Sequence, residues 1–178
     1  GGFGLNATYK GFDMSMFFNF MYDFDVLNAN KIMLTTWADN KENNFLMNIA
    51  SDKRWRNFDD MGNEIRYSPE VLAEFNKNAT MWNPTSIGRP ICMSYAVEDG
   101  SFLRLNSATL GYTLPSVWTK KVGLSKVRFY VSGNNLFTLT GYSGYDPEVN
   151  IATGLTPNID YNRYPRSRTY TFGAQLTF

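Results

Sequence analysis

Arg168-Thr169-Tyr170-Thr171-Phe172-Gly173-Ala174-Gln175-Leu176-Thr177-Phe178 closes the chain. Tyr170, Phe172, Ala174, Leu176 and Phe178 recur at every second position, with Thr169, Thr171, Gly173, Gln175 and Thr177 between them. Side chains alternate across a strand, so the stretch builds one apolar face and one face of small polar residues. A strand of about ten residues with its apolar set turned outward is the unit of a transmembrane β-barrel. A half-buried strand of a soluble sandwich has the same period. This strand alone does not separate the two.

Earlier segments repeat the pattern. Phe3, Leu5, Ala7 and Tyr9 share one face, and Gly4, Asn6, Thr8 and Lys10 the other. Lys10-Gly11 suits a tight turn, because Gly tolerates positive φ. The return segment puts Phe12, Met14, Met16, Phe18, Phe20 and Tyr22 on one face and Asp13, Ser15, Asn19 and Asp23 on the other, with Phe17 and Met21 as exceptions. In the next strand Ala108, Leu110, Tyr112 and Leu114 are the outward set, opposite Thr109, Gly111 and Thr113. Arg104 and Asn106 are expected on that outward face, above the apolar band. Val127, Phe129 and Val131 then face one way, and Arg128, Tyr130, Ser132 and Asn134 the other. The reading is all-β: five antiparallel strands at about 2–10, 12–23, 102–114, 127–139 and 168–178.

Residues 24–100 lose the alternation and are rich in Asn, Asp and Lys. Ser68-Pro69-Glu70 ahead of Val71, Leu72 and Phe75 predicts a short helix with Ser at the N-cap and Pro at its first position. Trp82-Asn83-Pro84 and Gly88-Arg89-Pro90 are turn signals. A loop this long is foreign to a compact soluble domain. It is ordinary in an outer-membrane barrel, where external loops are long and periplasmic turns short. With the Lys10-Gly11 turn periplasmic, strand parity makes 24–100 and 141–166 extracellular and 115–126 periplasmic. Five strands fall short of about eight, the smallest number that closes a membrane barrel. An open sheet in lipid leaves its edge groups unpaired, so further strands must complete it. The chain starts Gly1-Gly2 with no initiator Met and no secretory signal, which an exported protein needs. These residues are therefore expected to be the tail of a longer polypeptide.

Composition excludes several function classes. Net charge is +1, so there is no basic field for nucleic acid. Histidine is absent, which removes the commonest general base and metal ligand. Cys92 is the only cysteine, so the chain has no internal disulfide and no thiolate metal cluster. Nothing resembles a nucleophile motif, and no enzyme, catalytic residue, metal or cofactor is expected. Mean hydropathy is −0.33, and no apolar run reaches the roughly 18 residues of a membrane helix. Half-apolar barrel strands escape that test. Aromatics at 16% suit the girdles of such a barrel.

Phe102-Leu103-Arg104-Leu105-Asn106-Ser107-Ala108-Thr109-Leu110-Gly111-Tyr112-Thr113-Leu114-Pro115 resembles a recurrent segment of the SusC/RagA family of TonB-dependent outer-membrane transporters. Val131-Ser132-Gly133-Asn134-Asn135-Leu136-Phe137-Thr138 and Gly144-Tyr145-Asp146-Pro147-Glu148-Val149 resemble two more. Tyr164-Pro165, Arg168-Thr169-Tyr170-Thr171-Phe172-Gly173 and Leu176-Thr177-Phe178 complete the pattern in the family's order. The resemblance is firm over 98–178 and general in style over 1–23. It implies the last five or so strands of a barrel of about 22, whose plug and TonB-contacting segment are not in this chain. It further implies residence in the bacterial outer membrane and a SusD-like surface lipoprotein as a lid. The implied work is import of oligosaccharides or peptides, driven through TonB. The alternative from a different class is a soluble β-sandwich binding module with a long loop insertion.

Within that frame, Trp37, Trp55, Trp82, Tyr142 and Tyr145 are candidates to contact substrate or partner, although such aromatics also pack loops on themselves. Asp13, Asp23, Arg128 and Tyr130 are lumen-facing candidates. Asp146, Glu148 and Asp160 are oxygen donors of the kind calcium takes, but their spacing follows no known ligand loop. A proline-set turn with solvated charges is the simpler reading. Gly133 and Gly173 are read as allowing close packing or strand bending. The resemblance also implies that Phe178 belongs to the assembly signal read by the barrel-insertion machinery. The topology has a direct check: a membrane-impermeant thiol reagent on intact cells is expected to leave a cysteine at Lys120→Cys unlabelled and to modify Cys92 where no partner covers it. Labelling at position 120 inverts the topology.

Overall fold

Residues 1–36, 46, 53–84, 91–148 and 158–178 are described by the computed structural model of the chain. In chain order the strands among them are β1 (Gly2–Tyr9), β2 (Phe12–Met21), β3 (Asp25–Asn28), β4 (Val97–Asp99), β5 (Phe102–Thr113), β6 (Lys126–Thr140), β7 (Ile159–Asp160) and β8 (Thr169–Thr177). The α-helices among the described residues are α1 (Ala29–Met33), α2 (Pro69–Asn76) and α3 (Ser116–Thr119). No helix among the described residues is long and apolar enough to cross a membrane. The chain divides into two units, one made of Gly1–Val26, Glu98–Asn158 and Arg163–Phe178, the other of Leu27–Val97 and Ile159–Asn162.

The first unit is a five-stranded sheet in the order β1-β2-β5-β6-β8. Each neighbouring pair is antiparallel. The β1–β2 hairpin closes on Lys10 (φ 46°) and Gly11 (φ 88°) with Tyr9 opposite Phe12. Two consecutive positive φ values are the mark of a type I′ turn, whose twist matches that of the strands. Gly11 is required twice over, because a Cβ there would also lie 2.8 Å from the Thr113 carbonyl oxygen.

Register stacks the apolar residues in rows. Tyr9, Phe12, Tyr112 and Phe129 form one row across four strands. Ala7, Met14, Leu110, Val131 and Phe172 form the next. Leu5, Met16, Ala108, Gly133 and Tyr170 form a third. Phe12 and Tyr112 pack at 4.5 Å between ring centroids, and Phe3 stacks on Phe18 at 4.9 Å. Leu5, Tyr9, Phe12, Met14, Leu110, Phe129 and Tyr170 are nonetheless exposed, and Phe172 is 80% exposed, while Met16, Ala108, Tyr112 and Val131 are half-buried and Gly133 is buried between its neighbours. A soluble sandwich buries such a face under a second sheet; here it lies open, as the wall of a membrane barrel requires.

Two irregularities correct the reading of β5. The β2–β5 register shifts between Phe17 and Phe18, and the β5–β6 register shifts between Leu105 and Ser107. Asn106 is the extra residue against β2, while on the other side two residues of β6, Asn135 (φ 52°) and Leu136, stand opposite it. An extra residue inverts the faces beyond it, because the side-chain period is two. Leu103 and Leu105 therefore pair with Phe20 and Phe18 on the apolar face, and Arg104 pairs with Asn19 and Thr138 on the polar one. The expectation that Arg104 and Asn106 share the outward face fails for this reason. β2 also stops at Met21, two residues earlier than expected, and Asp23 sits beyond it at φ 61°. At the opposite end α3 and a 3-10 turn, Lys120–Val122, lead to Gly123 at φ 74° and bury Thr119.

The second unit is small and held by turns. Leu27 and Asn28 pair in parallel with Ile159 and Asp160. The Asn28 side chain caps α1 by accepting the Lys31 N–H at 3.0 Å. α2 begins at Pro69 with Ser68 at the N-cap, as the sequence predicts, but the Ser68 hydroxyl makes no capping bond. Buried Asn76 ties the end of α2 to residue 56, accepting the Arg56 N–H at 2.7 Å and donating to the Arg56 carbonyl at 2.9 Å. The Asn63 side chain and backbone amides, with those of Met61 and Gly62, hold the Asp59 carboxyl below its ordinary range.

The two faces of β5 predict opposite responses to charge. Leu110→Arg is expected to cost about 1–2 kcal/mol, because Leu110 lies one row inside the aromatic row and the cost of arginine on a lipid face falls from about 2–4 kcal/mol at mid-depth toward the interface. Thr109→Arg, one residue away on the polar face, is expected to be tolerated. Heat-modifiable mobility of the intact parent protein from outer-membrane fractions reads the folded amount for each.

Candidate functional site

The polar face of the sheet carries the chemistry. Arg128 Nε donates to Asp13 Oδ1 at 2.9 Å and its Nη2 to Oδ2 at 2.5 Å, a two-pronged contact across three strands. Such a fork fixes orientation as well as charge. Asp13 is in register with Gly111, Gly111 with Tyr130, and Tyr130 with Gly173. A Cβ on Gly111 would meet Arg128 Nη2 at 2.5 Å and Asp13 Oδ1 at 2.6 Å, and one on Gly173 would fall on the Tyr130 ring. The two glycines therefore form a floor on which long side chains lie flat. The Arg128 guanidinium also sits 5.3 Å from the centre of the Tyr130 ring. The row is flattened against the wall, so it keeps a polar surface without filling the space in front of it. The sequence supplied Asp13, Arg128 and Tyr130 as one face. It did not supply their pairing, because only the strand register brings Asp13 and Arg128 together.

A second cluster lies at the long-loop end of β5. Arg104 is 1% exposed. It pairs with Asp146, and its Nη1 lies 3.5 Å from Glu148 Oε2. Glu148 pairs in turn with Arg166 at 2.9 Å. Two arginines thus balance two carboxylates, the arrangement that makes a buried charge tolerable. Arg104 Nε has no hydrogen-bond partner among the described residues. The neighbouring chain is pinned as well. Thr140 Oγ1 donates to the Ser101 carbonyl at 2.8 Å, and Glu98 accepts from the Ser143 N–H at 2.9 Å and its hydroxyl at 2.8 Å. Sequence reading missed Arg104 because the bulge that turns it has no period of its own.

The other candidates are dispersed. Tyr142 is buried, its ring over Gly144, while Tyr145 is 80% exposed. Trp82 donates from Nε1 to the Thr35 carbonyl at 3.0 Å and meets Tyr95 edge-on at 5.1 Å, so it packs its own unit. Trp55 is partly exposed, with its Nε1 on Asn57 at 3.2 Å. Trp37 lies outside the described residues. Asp23 is exposed in a turn, and its N–H donates to Ser101 Oγ at 3.0 Å. Phe178 is exposed beyond the end of β8. The calcium reading loses its donors: Asp146 and Glu148 hold arginines, and Asp160 accepts from Asn30 at 3.3 Å. Among the described residues no group of three acidic or Cys side chains is placed to hold a metal ion.

No family model matches the chain. Relatives do. TonB-dependent receptor P3 of Formosa agariphila is 34% identical over 99% of this chain and 16% of its own length. TonB-dependent receptor SusC of Bacteroides thetaiotaomicron is 38% identical over 47% of this chain and 8% of its own. The fold matches the RagAB peptide importer in its closed-closed state with a TM-score of 0.72 and 26% identity, over 100% of this chain and 17% of that one.

The chain belongs to the SusC/RagA family of TonB-dependent receptors. It spans about one sixth of the length of the first relatives it matches. In this SusC/RagA chain the five-stranded sheet is a section of an antiparallel outer-membrane β-barrel. One face of that section therefore meets lipid, and the Asp13–Arg128–Tyr130 row is on the other.

The glycine floor has a measurable consequence. Gly173→Leu displaces the Tyr130 ring and is expected to cost about 1–3 kcal/mol, the range of overpacking. Adding Tyr130→Ala to it is expected to recover much of the loss. Urea unfolding of the purified intact receptor measures both, and strict additivity of the two changes contradicts the contact.

Proposed function

We propose that the chain is part of the barrel wall of a TonB-dependent importer that works with a SusD-like lipoprotein lid. The observation that carries this reading is the sheet itself: an apolar face left open, a polar face kept flat by Gly111 and Gly173, and edges at β1 and β8 that no strand among the described residues pairs. In lipid such edges must be paired by further strands of the same barrel. The cargo class is oligosaccharide or peptide. The whole-length likeness to a peptide importer and the identity with SusC support import without choosing between the two. Residues 24–100 and 141–166 are the extracellular side of this proposal. Tyr145 and Trp55, with exposed rings, are its contact candidates for lid or cargo; Asp13, Arg128 and Tyr130 line the lumen. The relatives are receptors and transporters, and the proposal assigns no enzymatic step.

Energised cells carrying the intact receptor are expected to accumulate fluorescent peptides or oligosaccharides, and a protonophore is expected to stop that accumulation. The lipoprotein is expected to co-purify with the receptor in mild detergent. Uptake that continues at the same rate after the proton gradient collapses argues against TonB-driven import. A receptor that purifies without any lipoprotein argues against the lid.

A further inference from the structure

The apolar face is not a smooth belt. In its third row Ala108 and Gly133 stand side by side between Met16 and Tyr170. Two small residues between two large ones leave a groove of about 240 Å³, floored by Ala108 and Gly133 and walled by Met16, Val131, Leu136 and Tyr170. The bulge shapes one wall. With Asn135 at φ 52°, Leu136 is brought over Gly133, where a Cβ would meet its Cδ2 at 2.6 Å. Thr109 and Ser132 also border the groove, but their side chains belong to the opposite face by register. The lining therefore offers carbon and sulfur and no aimed polar group.

We propose that this groove holds one acyl chain of a phospholipid in the periplasmic leaflet, tightly enough to stay with the receptor after extraction. The proposal rests on the barrel assignment and not on import. The groove is continuous with the face that meets lipid, so a hydrocarbon chain is the material that reaches it. Water has no partner there, and a void left unfilled forfeits dispersion contacts along its lining. A cavity of about 150 Å³ already binds benzene, so this one accommodates several methylenes. Met14 and Met16 on one side give a flexible, polarizable surface that adapts to a chain.

Depth selects the leaflet. The aromatic row Tyr9, Phe12, Tyr112 and Phe129 lies next to the short Lys10–Gly11 turn, and short turns are periplasmic in such barrels. Met16 is four residues from Phe12, about 13 Å along a strand, or about 9 Å of depth at a tilt of about 45°. Half of an apolar band about 25 Å tall contains that position.

Native mass spectrometry of the intact receptor, extracted in mild detergent, tests the assignment. The wild type is expected to retain one phospholipid. Ala108→Leu fills the floor and is expected to lower that occupancy about tenfold, a change of about 1.4 kcal/mol. Leu136→Ala, which removes a wall and adds no bulk, is expected to lower it too and serves if Ala108→Leu fails to insert. Ala7→Leu, on the same face outside the groove, is expected to leave it unchanged. Equal retention in all four proteins, or none in the wild type, overturns the proposal. So does a retained mass that matches a lipoprotein or a second receptor chain and is lost from Ala108→Leu.

Discussion

Hydrocarbon offers no hydrogen-bond partner, so every backbone amide in the wall must find its mate on the next strand. This constraint organises the first unit. β1, β2, β5, β6 and β8 pair in sequence as antiparallel neighbours, and the pairing fixes which side chains share a row. From those rows come the aromatic line Tyr9–Phe12–Tyr112–Phe129 on one face and the Asp13–Gly111–Tyr130–Gly173 line on the other. Neither line is contiguous in sequence. Each exists because the ladder leaves no freedom to slide: a slip of one residue would turn aromatics into the lumen and carboxylates into lipid.

The bulge at Asn106 and Asn135 is the place where the ladder yields, and its effects point both ways. On the polar face it delivers Arg104 to Asp146 and Glu148, which lie more than forty positions later in the chain. On the apolar face it swings Leu136 over Gly133 and opens a groove. A perfectly regular strand pair would have left Arg104 facing hydrocarbon, where an unpaired guanidinium is costly. The irregularity thus lets one strand serve a lipid-facing stretch and a charged, loop-facing stretch without a break in pairing.

Glycine does related work without bending the chain. Gly111 and Gly173 are ordinary strand residues in backbone terms, yet each lies under a long side chain from the neighbouring strand. The second unit is built on a different footing. Asn28, Asp59 and Asn76 hold it through side-chain bonds to backbone, beside buried Ile32, Ile65, Met81 and Ala96.

Alternation every second residue was legible in the chain at once, and with it the five strands of the main sheet, most of their apolar and polar faces, the Lys10–Gly11 turn and the family; the short β3, β4 and β7 carry too few residues to show a period. Period and turn chemistry are local properties, so sequence alone determined them. The helix at Pro69 was legible for the same reason. Register is not local. It depends on which residues of distant strands exchange hydrogen bonds, and one extra residue at Asn106 reverses every assignment beyond it. Only the tertiary structure therefore decided that Arg104 turns to the polar face, that Asp13 meets Arg128 over Gly111, and that Ala108 and Gly133 lie together beneath a gap in the apolar belt.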